Sequence, residues 1–187
     1  IGLISVGVFH KDISNLISSE TLFNVPFSAT GLPVSTLPGV TPTTIVAEFS
    51  RPVNLSKAYI TGFEAAAQTN FTFLPAPFDK FGMSANVTVI DSNAPVKGVK
   101  TPIPGLSKTN ANGTLYYETK RWGIRGSANY RSSYLRSAYD GSNPASEDGF
   151  DGTVYVDAAA FVNLTSTLRL TVDAINIANT AEVQYNS

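Results

Sequence analysis

The sequence predicts an all-β fold of antiparallel strands, and two patterns support this prediction. Apolar and polar residues alternate in one segment after another, whereas no stretch sustains the period of a helix. Clusters of Gly, Pro, Asn and Asp bound these segments, as expected of turns between strands. The alternation predicts seven strands, at residues 2–12, 57–74, 81–91, 109–120, 121–136, 152–164 and 167–177.

The first two predicted strands differ in how clearly they alternate. In the first strand, Leu3 and Phe9 place apolar side chains on the side that should be polar. The second strand is regular, and aromatic residues stand at both ends of its apolar side, at Tyr59, Phe71 and Phe73. Successive strand residues point to opposite faces, so this strand has one apolar and one polar face.

The fifth strand shows the division of faces most clearly. Residues 120–133 read K-R-W-G-I-R-G-S-A-N-Y-R-S-S. Its apolar side carries Trp122, Ile124, Ala128 and Tyr130, and its polar side carries Arg121, Arg125, Ser127, Asn129 and Arg131. The third, sixth and seventh strands repeat the division at residues 81–89, 154–163 and 168–174.

Three features favour lipid as the medium that covers the apolar faces. Only 14% of the 187 residues are charged, against about 25% in typical soluble domains. The apolar stretches are about ten residues long, which is enough for a tilted strand to cross a bilayer. Short connections after residues 74, 120 and 164 alternate with long ones at 13–56, 92–108 and 137–151, as in outer-membrane barrels.

Two other interpretations stay open from these residues. In a soluble β-sandwich with lectin-like or adhesive loops, the apolar faces would pack against a second sheet. A passive porin or a barrel enzyme is the third possibility. No run of about 18 apolar residues occurs, so the sequence predicts no membrane-spanning helix.

Composition excludes several classes of function. Thirteen basic residues balance fourteen acidic ones, so no nucleic-acid partner is expected. The chain contains no cysteine and a single histidine, His10, which leaves no thiolate site and no multi-histidine metal centre. No nucleophile elbow accompanies that histidine. We therefore expect no enzyme activity, no catalytic residue, no cofactor and no bound metal.

Four stretches of the chain are distinctive. They are S-V-G-V-F-H-K-D-I-S-N-L-I-S at 5–18, G-F-E-A-A-A-Q-T-N-F-T-F-L-P with F-G-M-S-A-N-V-T-V-I-D within 62–91, the segment 105–135, and the segment 152–179. Together they resemble the C-terminal part of a TonB-dependent outer-membrane receptor barrel. Their order and spacing also match the family, so the resemblance spans almost the whole chain.

The resemblance implies that this chain is about seven strands of a 22-stranded, up-and-down transmembrane barrel. We expect residues 1–187 to be part of the barrel domain of a longer protein, with the plug domain, the TonB-binding segment and the terminal strands lying outside it. The family implies a bacterial outer-membrane importer of a scarce nutrient, such as a metal chelate, a vitamin or an oligosaccharide. The implied partners are outer-membrane lipid, the plug, the TonB complex and the nutrient.

Two groups of residues are candidates for function. The residues predicted to face the barrel interior and the plug are Glu118, Arg121, Arg125 and Asp157. These arginines either contact the plug or an anionic substrate, or pair with neighbouring carboxylates such as that of Asp157. The residues predicted to contact ligand, in and beside the acidic loop at 137–151, are Arg131, Tyr139, Asp140, Asp148 and Phe150. The Pro-rich stretch at 25–42 is either a flexible lid or a surface loop.

Overall fold

A computed structural model describes residues 2–34, 37–95, 100–136 and 148–186. Seven strands form one antiparallel sheet in the order β1-β2-β3-β4-β5-β8-β9, so the strands follow one another up and down. The strands of this sheet are β1 (Gly2–Pro26), β2 (Ile45–Asn70), β3 (Phe81–Asn93), β4 (Thr109–Glu118), β5 (Trp122–Arg131), β8 (Thr153–Asn163) and β9 (Arg169–Ala174).

A second, three-stranded antiparallel sheet lies at the end of the strands where the long loops are. It contains β6 (Tyr134–Leu135), β7 (Asp148–Phe150) and β10 (Gln184–Asn186), in the order β10-β7-β6. Short 3-10 helices lie at Phe27–Thr30 and at Phe78–Lys80. The alternation did not reveal the small sheet, because strands of two or three residues are too short to show a period.

Strand pairing aligns the predicted faces across the large sheet. Residues paired in register share a face, so the pairs join into rows that cross the strands. One row on the apolar face runs Val6, Ala65, Val87, Ala111, Tyr130 and Val154. A neighbouring row on the polar face runs Ser5, Ala66, Asn86, Asn112, Asn129 and Tyr155. The predicted division into two faces is confirmed.

The apolar face is uncovered. Ile4 and Val8 are each 81% exposed, and Val6 is 65% exposed. In the part of the chain that the structure describes, no second sheet packs against this face. The arrangement of a sandwich, in which two inner faces interdigitate, is therefore not the one observed.

Aromatic side chains form a belt at the short-turn end of the apolar face. The ring centroids of Phe81 and Tyr117 are 4.9 Å apart, and those of Tyr117 and Trp122 are 5.1 Å apart. From Phe81 to Val89, the apolar positions of β3 span roughly 20–25 Å for a strand tilted by about 40°. This height matches the lipid-facing band of an outer-membrane barrel.

The first two strands are far longer than the sequence predicted. The connection predicted at residues 13–56 is instead a ribbon in which β1 and β2 keep pairing from Ile13 and Ala58 to Pro26 and Ile45. From Ile45 to Ala58, β2 pairs only with β1, so the ribbon extends beyond the rest of the sheet by about 40 Å. Polar residues occupy both of its faces, which removed the alternation on which the prediction relied.

The ribbon tip lies within the Pro-rich stretch. The backbone amide of Phe27 donates to the carbonyl of Thr44 (2.7 Å), and that of Ser28 donates to the carbonyl of Pro42 (2.9 Å). These two hydrogen bonds tie the tip across the ribbon, and the side chain of Phe27 is buried there.

Several predicted strand ends are corrected by a few residues. β2 ends at Asn70 rather than at 74, because the amide of Leu74 closes a turn onto the carbonyl of Phe71. β4 ends at Glu118 and β5 starts at Trp122, with a turn between them. Thr119 Oγ1 accepts the amide of Trp122 (3.0 Å) and caps this turn.

Candidate functional site

One row of the polar face builds a concave pocket near the short-turn end. The row crosses six strands through Asn70, Gly82, Tyr116, Arg125, Ala159 and Asp173. Large and small residues alternate along part of it, so the large side chains lean over the small ones. The resulting cavity has a volume of about 740 Å³. We call it the polar pocket, and it is lined by Asn70, Tyr116, Glu118, Arg125, Arg169 and Asp173, among others.

Two glycines allow aromatic rings to shape the polar pocket. A Cβ atom at Gly82 would collide with the ring of Tyr116. The ring lies over this glycine, and its hydroxyl donates to Asn70 Oδ1 at 2.6 Å. Gly123 provides the same space for Phe161. The shape of the pocket thus depends on side chains that approach the backbone closely. Only glycine leaves room for such an approach.

Charged groups line the polar pocket in equal numbers of each sign. Arg169 is held in place, because its guanidinium carbon lies 4.2 Å from the Phe161 ring centroid and its Nε donates to Asn163 Oδ1 at 2.8 Å. By contrast, no side-chain hydrogen bond or ion pair within the described ranges engages Glu118, Arg125 or Asp173. The register separates Arg125 from Asp173 by two strand spacings, roughly 10 Å.

The structure brings only part of the predicted interior-facing group together. Glu118 and Arg125 line the polar pocket. Arg121 lies in the turn before β5, where its backbone carbonyl accepts the amide of Asn163 (2.8 Å). Asp157 is opposite Ser127, and its Oδ1 accepts the backbone amide of Asn176 at 2.8 Å. Among the described residues, the anticipated pairing of these arginines with a carboxylate is not observed.

Arg131, a predicted ligand contact, is bound by the protein itself at the long-loop end. Its Nε donates to Ser107 Oγ (2.6 Å), and a terminal nitrogen donates to the carbonyl of Gly105 (2.7 Å). Its guanidinium carbon lies 3.7 Å from the ring centroid of Tyr134. Because Arg131 projects from the polar face, these contacts hold the loop before β4 over that face. We call Gly105, Ser107, Arg131, Tyr134 and Phe150 the rim cluster.

The acidic loop contributes to the rim cluster through its last residues. Phe150 stacks on Tyr134 with centroids 5.2 Å apart. Asp148 Oδ2 lies 3.4 Å from a terminal nitrogen of Arg136, and its other carboxylate oxygen accepts Gln184 Nε2 at 2.9 Å. The other two predicted ligand contacts, Tyr139 and Asp140, lie outside the described residues. Ligand contact by this group stays a prediction.

The surroundings of Tyr134 raise the pKa of its phenol. Partial desolvation raises its pKa above the ordinary value, and its hydrogen bond to Glu182 Oε1 (2.9 Å) adds to the increase, while the positive charge of Arg131 opposes it. The neutral phenol therefore donates to Glu182 at neutral pH.

Sequence reasoning missed the contribution of β9 to the polar pocket. Arg169 and Asp173 alternate with Leu170 and Val172, so the sequence did place them on a polar face. It did not reveal the register of β9 on β8, which brings Asp173 into the row of Arg125.

The described residues contain neither a membrane-spanning helix nor a cluster of metal ligands. No helix there has the length and apolar content needed to span a membrane. No group of three or more His, Cys, Asp and Glu side chains in those ranges could hold a metal ion.

The seven-stranded up-and-down sheet, its uncovered apolar face and the concave pocket on its polar face define this chain as a wall segment of a β-barrel. A family model described as the β-barrel of TonB-dependent receptor-like proteins matches residues 1–179. The chain therefore belongs to the TonB-dependent receptor β-barrel family, which is an outer-membrane family of receptors and transporters. A search of curated protein sequences gave no significant match.

A solved structure with the same fold is the siderophore receptor PiuA from Acinetobacter baumannii. The two share 16% sequence identity with a TM-score of 0.61, and the match covers 100% of this chain and 24% of PiuA. At this identity the likeness concerns the fold. The chain spans about a quarter of the length of that receptor.

Proposed function

We propose that this chain is part of the barrel wall of an outer-membrane importer that takes up a scarce nutrient with energy supplied through TonB. The apolar face contacts lipid, and the polar face contacts the barrel interior. By the usual asymmetry of such barrels, the short turns face the periplasm and the long loops face the outside of the cell. The nutrient is a metal chelate, a vitamin or an oligosaccharide.

The observation that carries this proposal is the polar pocket with its unpartnered charges. These side chains are exposed in the sheet, but charges enclosed between a barrel wall and a plug would need partners. Glu118, Arg125 and Asp173 face the barrel interior without a protein partner in the ranges described. We propose that they pair with groups of the plug domain, for which a concave, charged wall near the periplasmic end is a suitable docking surface.

The long-loop end serves ligand capture in this proposal. The rim cluster fixes one side of the external mouth, and the acidic stretch of the sequence that contains Tyr139 and Asp140 leads into its residue Phe150. Aromatic and acidic side chains together can stack on a ligand and accept its hydrogen bonds. Arg131 then supports the site by holding the loop, whatever contact it makes with the ligand.

Energised uptake by the full-length protein tests the proposal. Cells that express the protein are given radiolabelled ferric chelates, cobalamin and oligosaccharides, with the gene deletion as control. At least one compound should accumulate only when the gene is present and the inner-membrane proton gradient is intact. A protonophore should abolish that uptake.

A passive porin would behave differently. Its uptake would follow the concentration gradient and continue after the protonophore is added. Gene-dependent uptake that survives loss of the proton gradient would therefore exclude the importer, and so would the absence of gene-dependent uptake for every compound of the three classes.

A further inference from the structure

Two neighbouring rows of the polar face separate the rim cluster from the polar pocket. Apart from Asp157, their side chains from β3 to β8 end in an amide or a hydroxyl group. We call these two rows the neutral band. The upper row runs through Asn86, Asn112, Asn129 and Tyr155. The lower row begins one strand earlier, in β2, and runs through Gln68, Ser84, Thr114, Ser127 and Asp157.

Free charges lie outside the neutral band. The carboxylate of Asp157 is already bound, since its Oδ1 accepts the backbone amide of Asn176 at 2.8 Å. The next row above the band contains Glu64 and Arg131, and the polar pocket below it contains Arg125 among other charged residues. A molecule that contacts the band therefore meets hydrogen-bonding groups that are neutral.

The hydrogen-bonding groups of the neutral band are open. Asn112 Nδ2 donates to Asn86 Oδ1 at 2.9 Å, which aligns these two amides across β3 and β4. Within the described ranges, no hydrogen bond engages the side chains of Gln68 and Asn129 or the aliphatic hydroxyls of the lower row. Gln68, Asn86 and Asn112 are also exposed. These groups are available to a molecule in the barrel interior.

Tyr155 connects the neutral band to the rim cluster. It is paired with Asn129 at the end of the upper row. The next row toward the mouth holds Arg131, whose guanidinium carbon lies 3.7 Å from the ring centroid of Tyr134. The polar face thus carries, in order from the external mouth, aromatic rings, then neutral amides and hydroxyls, and then the polar pocket.

The neutral lining indicates the chemistry of the ligand. A charged molecule that left water for this surface would lose hydration without gaining a counter-charge. Sugar hydroxyls, in contrast, can exchange water for amides and hydroxyls at little net cost. Because neighbouring strands lie about 4.8 Å apart, the amides of the upper row offer donors and acceptors at regular steps over roughly 10 Å. The ring of Tyr155 can cover the less polar face of a sugar ring.

We infer that the neutral band binds a neutral oligosaccharide and that the imported nutrient belongs to this class. Asn86, Asn112 and Asn129 exchange hydrogen bonds with sugar hydroxyls, and Tyr155 stacks on one sugar ring. The ligand passes along this wall from the rim cluster toward the polar pocket. The inference rests on the proposed import function and narrows its three nutrient classes to one.

Uptake by cells that express the full-length protein tests the inference. The neutral probes are maltohexaose, cellohexaose and xylohexaose, and the acidic probe is hexagalacturonate. Ferric chelates and cobalamin are assayed in parallel. At least one neutral probe should accumulate in a gene-dependent and energised manner, whereas the acidic probe, the chelates and cobalamin should not.

Variants test the contribution of the band itself. In Asn112→Ala/Asn129→Ala, the probe concentration that gives half-maximal uptake should rise about tenfold, because hydrogen bonds between neutral groups are lost. Tyr155→Leu should raise it several-fold, whereas Tyr155→Phe, which keeps the ring, should stay within twofold of the wild type. Asn54→Ala is the matched control, since Asn54 lies on the ribbon outside the band, and it should also stay within twofold.

Three outcomes would overturn the inference while import itself stands. The first is energised uptake of a chelate, cobalamin or hexagalacturonate without uptake of any neutral probe. The second is an unchanged half-maximal concentration in the double variant with a lower maximal rate, as expected if the band contacts only the plug. The third is an equal rise in Asn54→Ala.

Folding of the variants is checked by the heat-dependent gel mobility of the barrel. Should the double variant misfold, Asn129→Ala alone gives the answer, because no described contact of its side chain is lost. Absence of gene-dependent uptake for every compound would contradict the proposed import function, and the inference with it. Import of another class of nutrient contradicts the inference alone, so the two failures are distinguishable.

Discussion

Arg125 and Arg131 project from the same face of the same strand, yet their surroundings differ. Arg131 lies at the long-loop end and contacts Gly105, Ser107 and Tyr134. Arg125 lies in the polar pocket, and its guanidinium has no partner among the described residues. The sequence treats the two alike, since both are arginines at alternate positions of a strand.

The difference separates the positioning role of Arg131 from the docking role that we propose for Arg125. A guanidinium that already donates to two protein acceptors stabilises the loop that it holds. A guanidinium without a protein partner contributes little to the stability of the wall and is available to another domain. The two arginines should therefore respond in opposite ways when stability and transport are measured separately.

The largest stability effect is expected for Arg131→Ala. The variant loses two hydrogen bonds from a charged donor and a contact with an aromatic ring, together about 2 kcal/mol. Local opening of the loop should increase roughly 30-fold. Hydrogen exchange of the Gly105 and Leu106 amides in the full-length protein measures this opening. The two amides donate to the carbonyls of Leu135 and Ile103, respectively.

Arg131→Lys is the matched control for this prediction. Lysine keeps the charge but cannot reproduce the two donors in their fixed geometry, so protection should fall between that of the wild type and that of the alanine variant. Unchanged exchange in Arg131→Ala would show that the loop is held by other contacts.

Arg125→Ala is expected to have a smaller effect on the wall and a distinct effect on transport. Its free energy of unfolding should change by less than about 0.5 kcal/mol, because no described contact is lost. Energised uptake should nevertheless fall several-fold if Arg125 pairs with the plug as proposed. Chemical denaturation and uptake are measured on the same variant.

Arg125→Lys separates charge from shape in this experiment. Partial recovery of uptake would support an ion pair with the plug. Uptake equal to the wild type in Arg125→Ala would contradict the docking role and leave the barrel fold untouched.

The smallest expected effect concerns pH at the rim cluster. Because the pKa of Tyr134 is raised in the folded state, the folded state favours the neutral phenol. This contribution is complete below the ordinary tyrosine pKa of 10.0 and is lost as the pH rises through the higher folded value. Phenolate absorbance compared between the wild type and Tyr134→Phe should show one tyrosine that ionises late. A difference spectrum that titrates at the ordinary pKa would contradict it.

The alternation predicted the sheet well where one face is apolar. In β3, β4, β5, β8 and β9, the apolar positions repeat every second residue, because one face is apolar and the other polar. The prediction failed in the ribbon beyond Ile13 and Ala58, where both faces carry polar side chains. It also failed for β6, β7 and β10, which are too short to show a period.

The candidate site was less predictable than the fold. The sequence assigned Arg125, Glu118 and Asp173 to a polar face and predicted the strand order, but their grouping depends on the register between the strands. It also gave no sign that Tyr116 leans over Gly82, or that Asp157 accepts the amide of Asn176.

The sequence by itself determined which side of each strand is apolar, because the strand geometry converts a period of two into two faces. Tertiary structure alone decided which charges have partners. Pairing joins strands that are distant in the sequence, and a neighbour such as Ser107 for Arg131 exists only after the loop has folded onto the sheet. The same residue type on the same face thus has protein partners at one end and, within the described residues, none at the other.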